Sequence, residues 1–477
     1  MKRLLASSAI YGLGAMANRL VALLLLPVFT AHMVPADYGV VAMLTVVGGF
    51  VAPVFTLGLG SSISIVYFNT TNPAERGAIL WSAGTVLLGS AVLLTLLGWV
   101  LRHTLSNIVL ADEGYGAHTA VAIATTAFGI LATPWQLKLQ FEERPTAFVI
   151  VSFLGLVATV GVSLWLVVGR EKGAMGALIG SLVGQTSTTL LLFAAAADEL
   201  SVKDIVRWAR ELLRQGLPFI PSFFFLFLVQ NWVRWPLEWH HGLDAVGIYS
   251  VGSSIGSALG ILTGAFISAW TPYALSHADR QGEAVQVLGR ATLYYVAGFG
   301  FLTTLFFLYA TPVVQIFTQP AFHSATGVVG LSAVAQFLSA LFLMLLPPLY
   351  FAKRVDNVLV SQAVASGIVF LLAAILVPSF GIAGAATTVV LGFSALVVVQ
   401  WACLQRMPVL RIHYDYRRAG LLCLVFSAVA ALSFLISFVD PVRGFALAGA
   451  AALVTAAIVF LGICRVPDVL RTWRSVT

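Results

Sequence analysis

Arg19 sits in "AMANRLVALL", residues 15–24, about fifteen residues into an apolar run that begins near residue 4 and is long enough to cross a bilayer. An arginine at that depth costs about 2.5–3.5 kcal/mol on insertion scales, so its guanidinium must face protein or water. Two chemistries satisfy it. Either it meets an anionic group in a polar cavity, where its planar fork suits phosphate and carboxylate, or it anchors backbone carbonyls and amides such as that of Asn18. A second cation, Arg234, stands in "VQNWVRWPLEWHH", residues 229–241. At 100° per residue, Gln230, Asn231, Arg234, Glu238 and His241 fall on one side of a helix, and Trp232, Trp235 and Trp239 on another. The polar side reads as a cavity mouth, or as an arginine that snorkels to the interface; the tryptophans suit an interfacial belt. Gln185 and Gln336 add amides inside apolar segments, as do Gln136, Gln140 and Gln400. Each is either cavity lining or an interhelical hydrogen bond.

The asymmetry of charge carries more than any single residue. All nineteen carboxylates fall in loops or at helix ends, so the deep charge reads as cationic. A pump for cations, or one driven by a mid-membrane carboxylate, is expected to carry Asp or Glu at depth. An anionic cargo calls for arginine. Catalytic chemistry has no foothold: the chain contains no P-loop, Gly-x-Ser-x-Gly, His-Glu-x-x-His or Asp-x-Asp motif,, and the expectation is not an enzyme. The three cysteines, Cys403, Cys423 and Cys464, match no metal or disulfide spacing,. No metal site, cofactor or nucleic-acid partner is expected.

The elements that hold these residues follow from composition. The chain has 477 residues, 60% hydrophobic and 9% charged, against about 25% charged in a soluble domain. That leaves too little polar surface for a water-soluble fold. Apolar runs of roughly 20 residues, without the strict alternation of a barrel, give about fourteen transmembrane helices. The class is an all-α polytopic membrane protein.

Taking both termini as cytoplasmic, twenty of the 26 Lys and Arg fall on the cytoplasmic side and four on the outer side, the orientation signal of multi-pass proteins. A missed or extra helix would scramble that division. Internal repetition also appears. Gly39 in "ADYGVVAM" and Gly247 in "DAVGIYSV" lie 208 residues apart; so do Gly173 and Gly381, and Gly176 and Gly384, in "GAMGAL" and "GIAGAA". An offset that spans six helices preserves orientation and makes a parallel repeat. The expected organisation is an N-lobe of helices 1–6 (1–197), an amphipathic cytoplasmic linker (198–215), a C-lobe of helices 7–12 (216–405), and helices 13–14 with a cytoplasmic tail (406–477). In the linker, Val202, Ile205, Trp208, Ala209, Leu212 and Leu213 recur at helical spacing with charges opposite,.

With these features the chain resembles the bacterial polysaccharide (O-antigen type) flippases of the multidrug/oligosaccharidyl-lipid/polysaccharide exporter superfamily. The resemblance spans essentially the whole chain. It rests on "NRLVALLLLPVFTAHMVPADYGVVAML" (18–44), "LGLGSSI" (57–63) and "AVGIYSVGSSIGSALGILTGAFISAWTPY" (245–273). It implies two six-helix lobes around a central polar cavity that opens alternately to each side of the bacterial cytoplasmic (inner) membrane. It implies an undecaprenyl-pyrophosphate-linked oligosaccharide, a polysaccharide or lipopolysaccharide O-antigen precursor, moved to the outer leaflet, with membrane lipids and other polysaccharide-assembly proteins as partners. By similarity to lipid II flippases, helices 13 and 14 form a groove for the lipid tail. One departure stands out: family members often carry an Asp-Arg pair in helix 7, and here Val233 precedes Arg234. The sequence contains no ATPase motif and leaves the coupling ion, H+ or Na+, open. Two alternatives remain: an ion-coupled small-molecule exporter of the same superfamily, and a non-transport subunit of a glycan biosynthesis complex.

Overall fold

The structure is a computed structural model that describes residues 21, 23–196, 204–275, 281–351, 356–406, 415–436 and 441–459. These residues are almost entirely helical, with no strand among them. In chain order the helices are α1 (Leu23–His32), α2 (Pro35–Phe55), α3 (Leu59–Asn69), α4 (Pro73–Val100), α5 (Arg102–Leu110), α6 (Gly116–Phe141), α7 (Pro145–Val167), α8 (Gly173–Ala196), α9 (Ile205–Gly216) and α10 (Ile220–Asn231). They continue as α11 (Arg234–Gly256), α12 (Leu259–Leu275), α13 (Gln281–Leu308), α14 (Ala310–Phe317), α15 (Thr326–Met344), α16 (Pro347–Phe351), α17 (Asp356–Gln405), α18 (Tyr416–Ile436) and α19 (Pro441–Ala456).

Among the described residues, nine helical stretches are long and apolar enough to cross a membrane, and three shorter apolar helices accompany them. Two of the long stretches are compound. The 49-residue Asn357–Gln405 turns at Gly381, and the 52-residue Ile205–Gly256 runs from α9 to beyond a break at Gly242. Among the described residues, these long stretches and the shorter apolar helices form the all-α polytopic architecture that the apolar runs predict.

Contacts divide the chain into two compact units; the first covers Val28–Gly247 and the second continues from Ile248. This division keeps α10 and the start of α11 with the first unit, whereas the sequence repeat divides the chain near residue 216. The reason is local. Phe50 of α2 meets Phe224, Phe227 and Trp235 edge-on, with ring centroids 5.2, 6.0 and 5.9 Å away, and Gly49 leaves room for the Phe227 ring.

In the first unit a core of Leu59, Ile63, Ile79, Leu87, Ile130 and Leu212 joins α3, α4, α6 and α9. Trp81, Trp135 and Phe193 lock α4, α6 and α8 through edge-to-face rings about 5–6 Å apart,. In the second unit Trp270, Tyr295 and Met344 centre the core, and the Tyr295 hydroxyl donates to the Phe337 carbonyl at 2.8 Å. Large side chains such as Val100, Leu371 and Leu453 remain exposed. In a bilayer this surface meets acyl chains, so helix association relies on close packing through small residues rather than on exclusion of water.

The repeat is visible in backbone geometry. Gly173 and Gly381 both hold positive φ, 48° and 53°, at the same point of the two copies, and only glycine takes that conformation without strain. Gly48 packs under Thr126 of α6, and Gly256, 208 residues later, packs under Val329 and Ser332 of α15. The pair Gly39 and Gly247 meets most directly. A Cβ on Gly39 would run into the backbone of Leu243, and one on Gly247 into the backbone of Pro35 and Gly39. Pro35 and Leu243 are themselves 208 residues apart, so the crossing of α2 with α11 is reciprocal, with equivalent residues exchanging roles.

Several details differ from the apolar-run reading. The second crossing is interrupted at Leu57 and Gly58, whose φ values are 54° and 67°. The segment 102–117, a polar break between two apolar runs, is mostly helical and contains α5. At the start of α8 the Asp37 carboxylate accepts the Ala174 amide at 3.3 Å, so a residue of α2 caps a helix whose second residue lies 137 positions later,.

Candidate functional site

The polar stripe of "VQNWVRWPLEWHH" is built by a proline. Pro236 has no N–H to offer the Trp232 carbonyl, and the Trp235 amide bonds that carbonyl at 3.2 Å instead, three residues back. Regular α-helical bonding lapses at residues 232–233, which is how a proline breaks a helix one turn before itself. The break separates α10 from α11 and places Asn231 and Arg234 on either side of it.

The two residues join across this break. Arg234 Nη1 donates to Asn231 Oδ1 at 2.7 Å, while Asn231 Nδ2 donates to the Phe227 carbonyl at 3.3 Å. The asparagine amide is therefore fixed by α10 and in turn orients the guanidinium. Arg234 is half-buried. One turn further on, Glu238 is only 5% exposed, and its Oε2 has no hydrogen-bond partner. The expectation of no buried acid is corrected here. Glu238 lies close to a helix end in the sequence, but tertiary packing rather than chain position sets its burial.

The tryptophans divide. Trp239 is 57% exposed, as an interfacial residue should be. Trp232 and Trp235 are half-buried and lie 5.4 Å apart, and Trp235 packs on Phe50. The other candidates are dispersed. Gln230 is exposed on α10. Gln185 is half-buried on α8, its amide carbon 3.8 Å from where a Cβ of Gly129 would lie on α6. Gln336 is half-buried on α15 of the second unit. Asn18 and Arg19 lie outside the described residues. Gln400, one of the scattered amides, is fully buried and accepts the Ser361 hydroxyl at 2.8 Å between the two halves of α17, the interhelical hydrogen bond that was its alternative reading.

Lys138 is a buried cation that sequence reasoning missed. It is 4% exposed on α6, with its ammonium 3.5 Å from the Glu142 carboxylate one turn on. Its i,i+4 spacing to Glu142 was the available signal. Among the described residues no group of His, Cys, Asp or Glu is arranged to hold a metal ion. Residues 231–238 bring together an oriented guanidinium, a buried carboxylate that can accept hydrogen bonds from hydroxyls or carry a proton, and aromatic faces, groups suited to recognition of a polar or anionic ligand.

Solved structures share this fold. Lipid II flippase MurJ, in an inward closed conformation, superposes with a TM-score of 0.72 at 13% identity, covering 94% of this chain and 98% of that one. An inward-facing multidrug resistance MATE family transporter of the MOP superfamily gives 0.64 at 14% identity, covering 87% and 96%. A MOP superfamily transporter from Pyrococcus furiosus, described by the reverse polarity of its binding pocket, gives 0.59 at 16% identity, covering 88% and 96%. No curated protein matches the sequence at a significant level. Residues 4–276, more than half of the chain, match the polysaccharide biosynthesis protein family; with this match and its multi-pass helical fold in place, the chain belongs to that family.

Proposed function

We propose that this protein is a flippase that moves an undecaprenyl-pyrophosphate-linked oligosaccharide from the inner to the outer leaflet of the bacterial cytoplasmic membrane by alternating access, with both termini cytoplasmic. The family match over residues 4–276 carries the reading, and the fold shared with a lipid II flippase supports it. The physical problem is charge. Taking one phosphate-sized ion from water into hydrocarbon costs of order 20 kcal/mol before relaxation, so the head must travel a polar path with cations along it while the prenyl tail stays in lipid. Arg234, oriented by Asn231, and Arg19 are the residues proposed to meet the pyrophosphate. Gln230, Glu238, Asn18, Gln185 and Gln336 are proposed to serve the sugar through polar contacts. An H+ or Na+ gradient, or consumption of the product, supplies the direction.

The test is deletion of the gene followed by a sidedness assay on lipid-linked oligosaccharide. The expected result is accumulation in the inner leaflet, restored by the wild-type chain. Unchanged outward translocation removes the flippase reading and leaves a non-transport role in glycan assembly.

One observation favours a second reading, an ion-coupled small-molecule exporter: Glu238 is a buried carboxylate of the kind such pumps titrate. In proteoliposomes that reading requires gradient-driven efflux of a small cation, abolished in Glu238→Gln. Efflux that is absent from the wild type, or insensitive to the substitution, dismisses it.

A further inference from the structure

A cleft of about 660 Å³ lies between α9 and the end of α3. Arg207 and Arg210 line it from α9, one turn apart, and Asn69 and Thr70 line it from α3. The cleft is a fixed feature. Trp208 and Leu212 of α9 are buried in the core that α3 and α4 share, and the backbone of Gly216 abuts Gly58 so closely that neither position has room for a Cβ. Arg207 lies over the Trp208 ring, 5.1 Å from its centroid, which holds the guanidinium at the cleft. The acid in the lining, Glu211, accepts the Gln215 amide at 2.5 Å. Two arginines against one carboxylate leave the cleft cationic.

Its surroundings identify what the charge is for. Val206 on α9 is 82% exposed, Phe68 on α3 is 61% exposed, and Leu217 just beyond α9 is exposed as well. A free phosphate would use the arginines and leave these apolar side chains in water. A phospholipid uses both: its phosphate meets the guanidinium groups while its acyl chains cover the valine, phenylalanine and leucine. An amphipathic helix with basic residues and an apolar edge takes up this position at the headgroup level. We propose that this cleft binds the headgroup of an anionic phospholipid, with Arg207 and Arg210 holding the phosphate. The site is separate from residues 231–238 and does not depend on which cargo the protein moves.

The experiment is native mass spectrometry of the full-length protein in detergent, titrated with phosphatidylglycerol or phosphatidylcholine. The tightest binding step is expected to favour phosphatidylglycerol. It should weaken about fivefold in Arg210→Gln and roughly thirtyfold in the Arg207→Gln/Arg210→Gln double variant, from the contribution of each basic residue near an anionic surface. Arg214→Gln, on α9 but outside the lining, is expected to bind as the wild type does. All three substituted arginines are exposed, and an unchanged gel-filtration profile confirms that each of the four proteins is folded. Equal binding of the two lipids, or wild-type affinity in the double variant, overturns the proposal. Displacement of phosphatidylglycerol by an equal concentration of inorganic phosphate or pyrophosphate also overturns it, since the site would then take the free anion.

Discussion

The reciprocal crossing of α2 and α11 makes a prediction whose size follows from the structure. In Gly247→Ala the new methyl would run into the Pro35 carbonyl oxygen, with that carbonyl carbon at 2.8 Å and the Gly39 amide nitrogen at 3.0 Å. Carbon atoms pack at about 3.5–4.0 Å, and the oxygen is nearer still, so the helices must part by more than about 1 Å. The obstacle is backbone, which cannot rotate away as a side chain can. The cost therefore belongs at the upper end of the overpacking range, about 3 kcal/mol. Gly39→Ala meets the backbone of Leu243 in the same way, 2.8 Å from its carbonyl carbon, and carries a similar cost. The two penalties should not add. Once one methyl has opened the crossing, the second finds the space already made, and the double variant should recover about 1–3 kcal/mol of the sum. Gly77 and Gly89 of α4 have nothing within 4 Å of a built Cβ. Alanine there should leave the protein unchanged or more stable by up to about 1 kcal/mol. Apparent melting of the detergent-solubilised protein, at one heating rate, reads all five variants. If Gly39→Ala and Gly247→Ala melt with the controls, the close approach is wrong. If their penalties simply sum, the two contacts are not halves of one crossing.

Three further outcomes are expected. Arg234→Ala should lower transport by roughly ten- to a hundredfold, the worth of a charged hydrogen bond, with melting little changed; transport at the wild-type rate removes Arg234 from the proposed path. Gly173→Ala and Gly381→Ala should each destabilise by about 1–3 kcal/mol because both glycines hold positive φ,; melting of either variant with the wild type contradicts this. Asp37→Ala should cost about 1 kcal/mol and speed hydrogen exchange of the amides at the start of α8; unchanged exchange there means that the carboxylate is not the cap.

The outline of the fold was legible because a bilayer makes it so. Every crossing must be a helix with its backbone satisfied internally, and each leaves an apolar run. The repeat was legible from glycines, since Gly39/Gly247 and Gly173/Gly381 stand where backbone contact or positive φ permits little else. The interruptions at Leu57–Gly58 and at 232–233 were less visible: hydropathy averages over a window and does not register a two-residue lapse in hydrogen bonding. Pro236 and Gly58 marked both places, but proline and glycine also occur inside unbroken helices of this chain, Pro134 and Gly77 among them. At the candidate site the sequence supplied Asn231, Arg234 and Glu238 and their common face. It did not supply burial. Whether Glu238 and Lys138 are covered depends on helices far away in the chain, and identical residues one turn further along would be solvated.

The Asp37 cap bears on how alike the two copies are in behaviour. Its position in the second copy is occupied by Ala245, a methyl that can accept no amide. The helix that opens after Gly173 is thus tethered to another crossing at its first turn, while the repeat supplies no such tether to the helix that opens after Gly381. Two halves with one topology need not open at the same free energy. Local unfolding starts where few bonds must be given up, and by that measure fraying should favour the second copy. A duplicated architecture can in this way acquire a stiff half and a yielding half through the exchange of one carboxylate for a methyl.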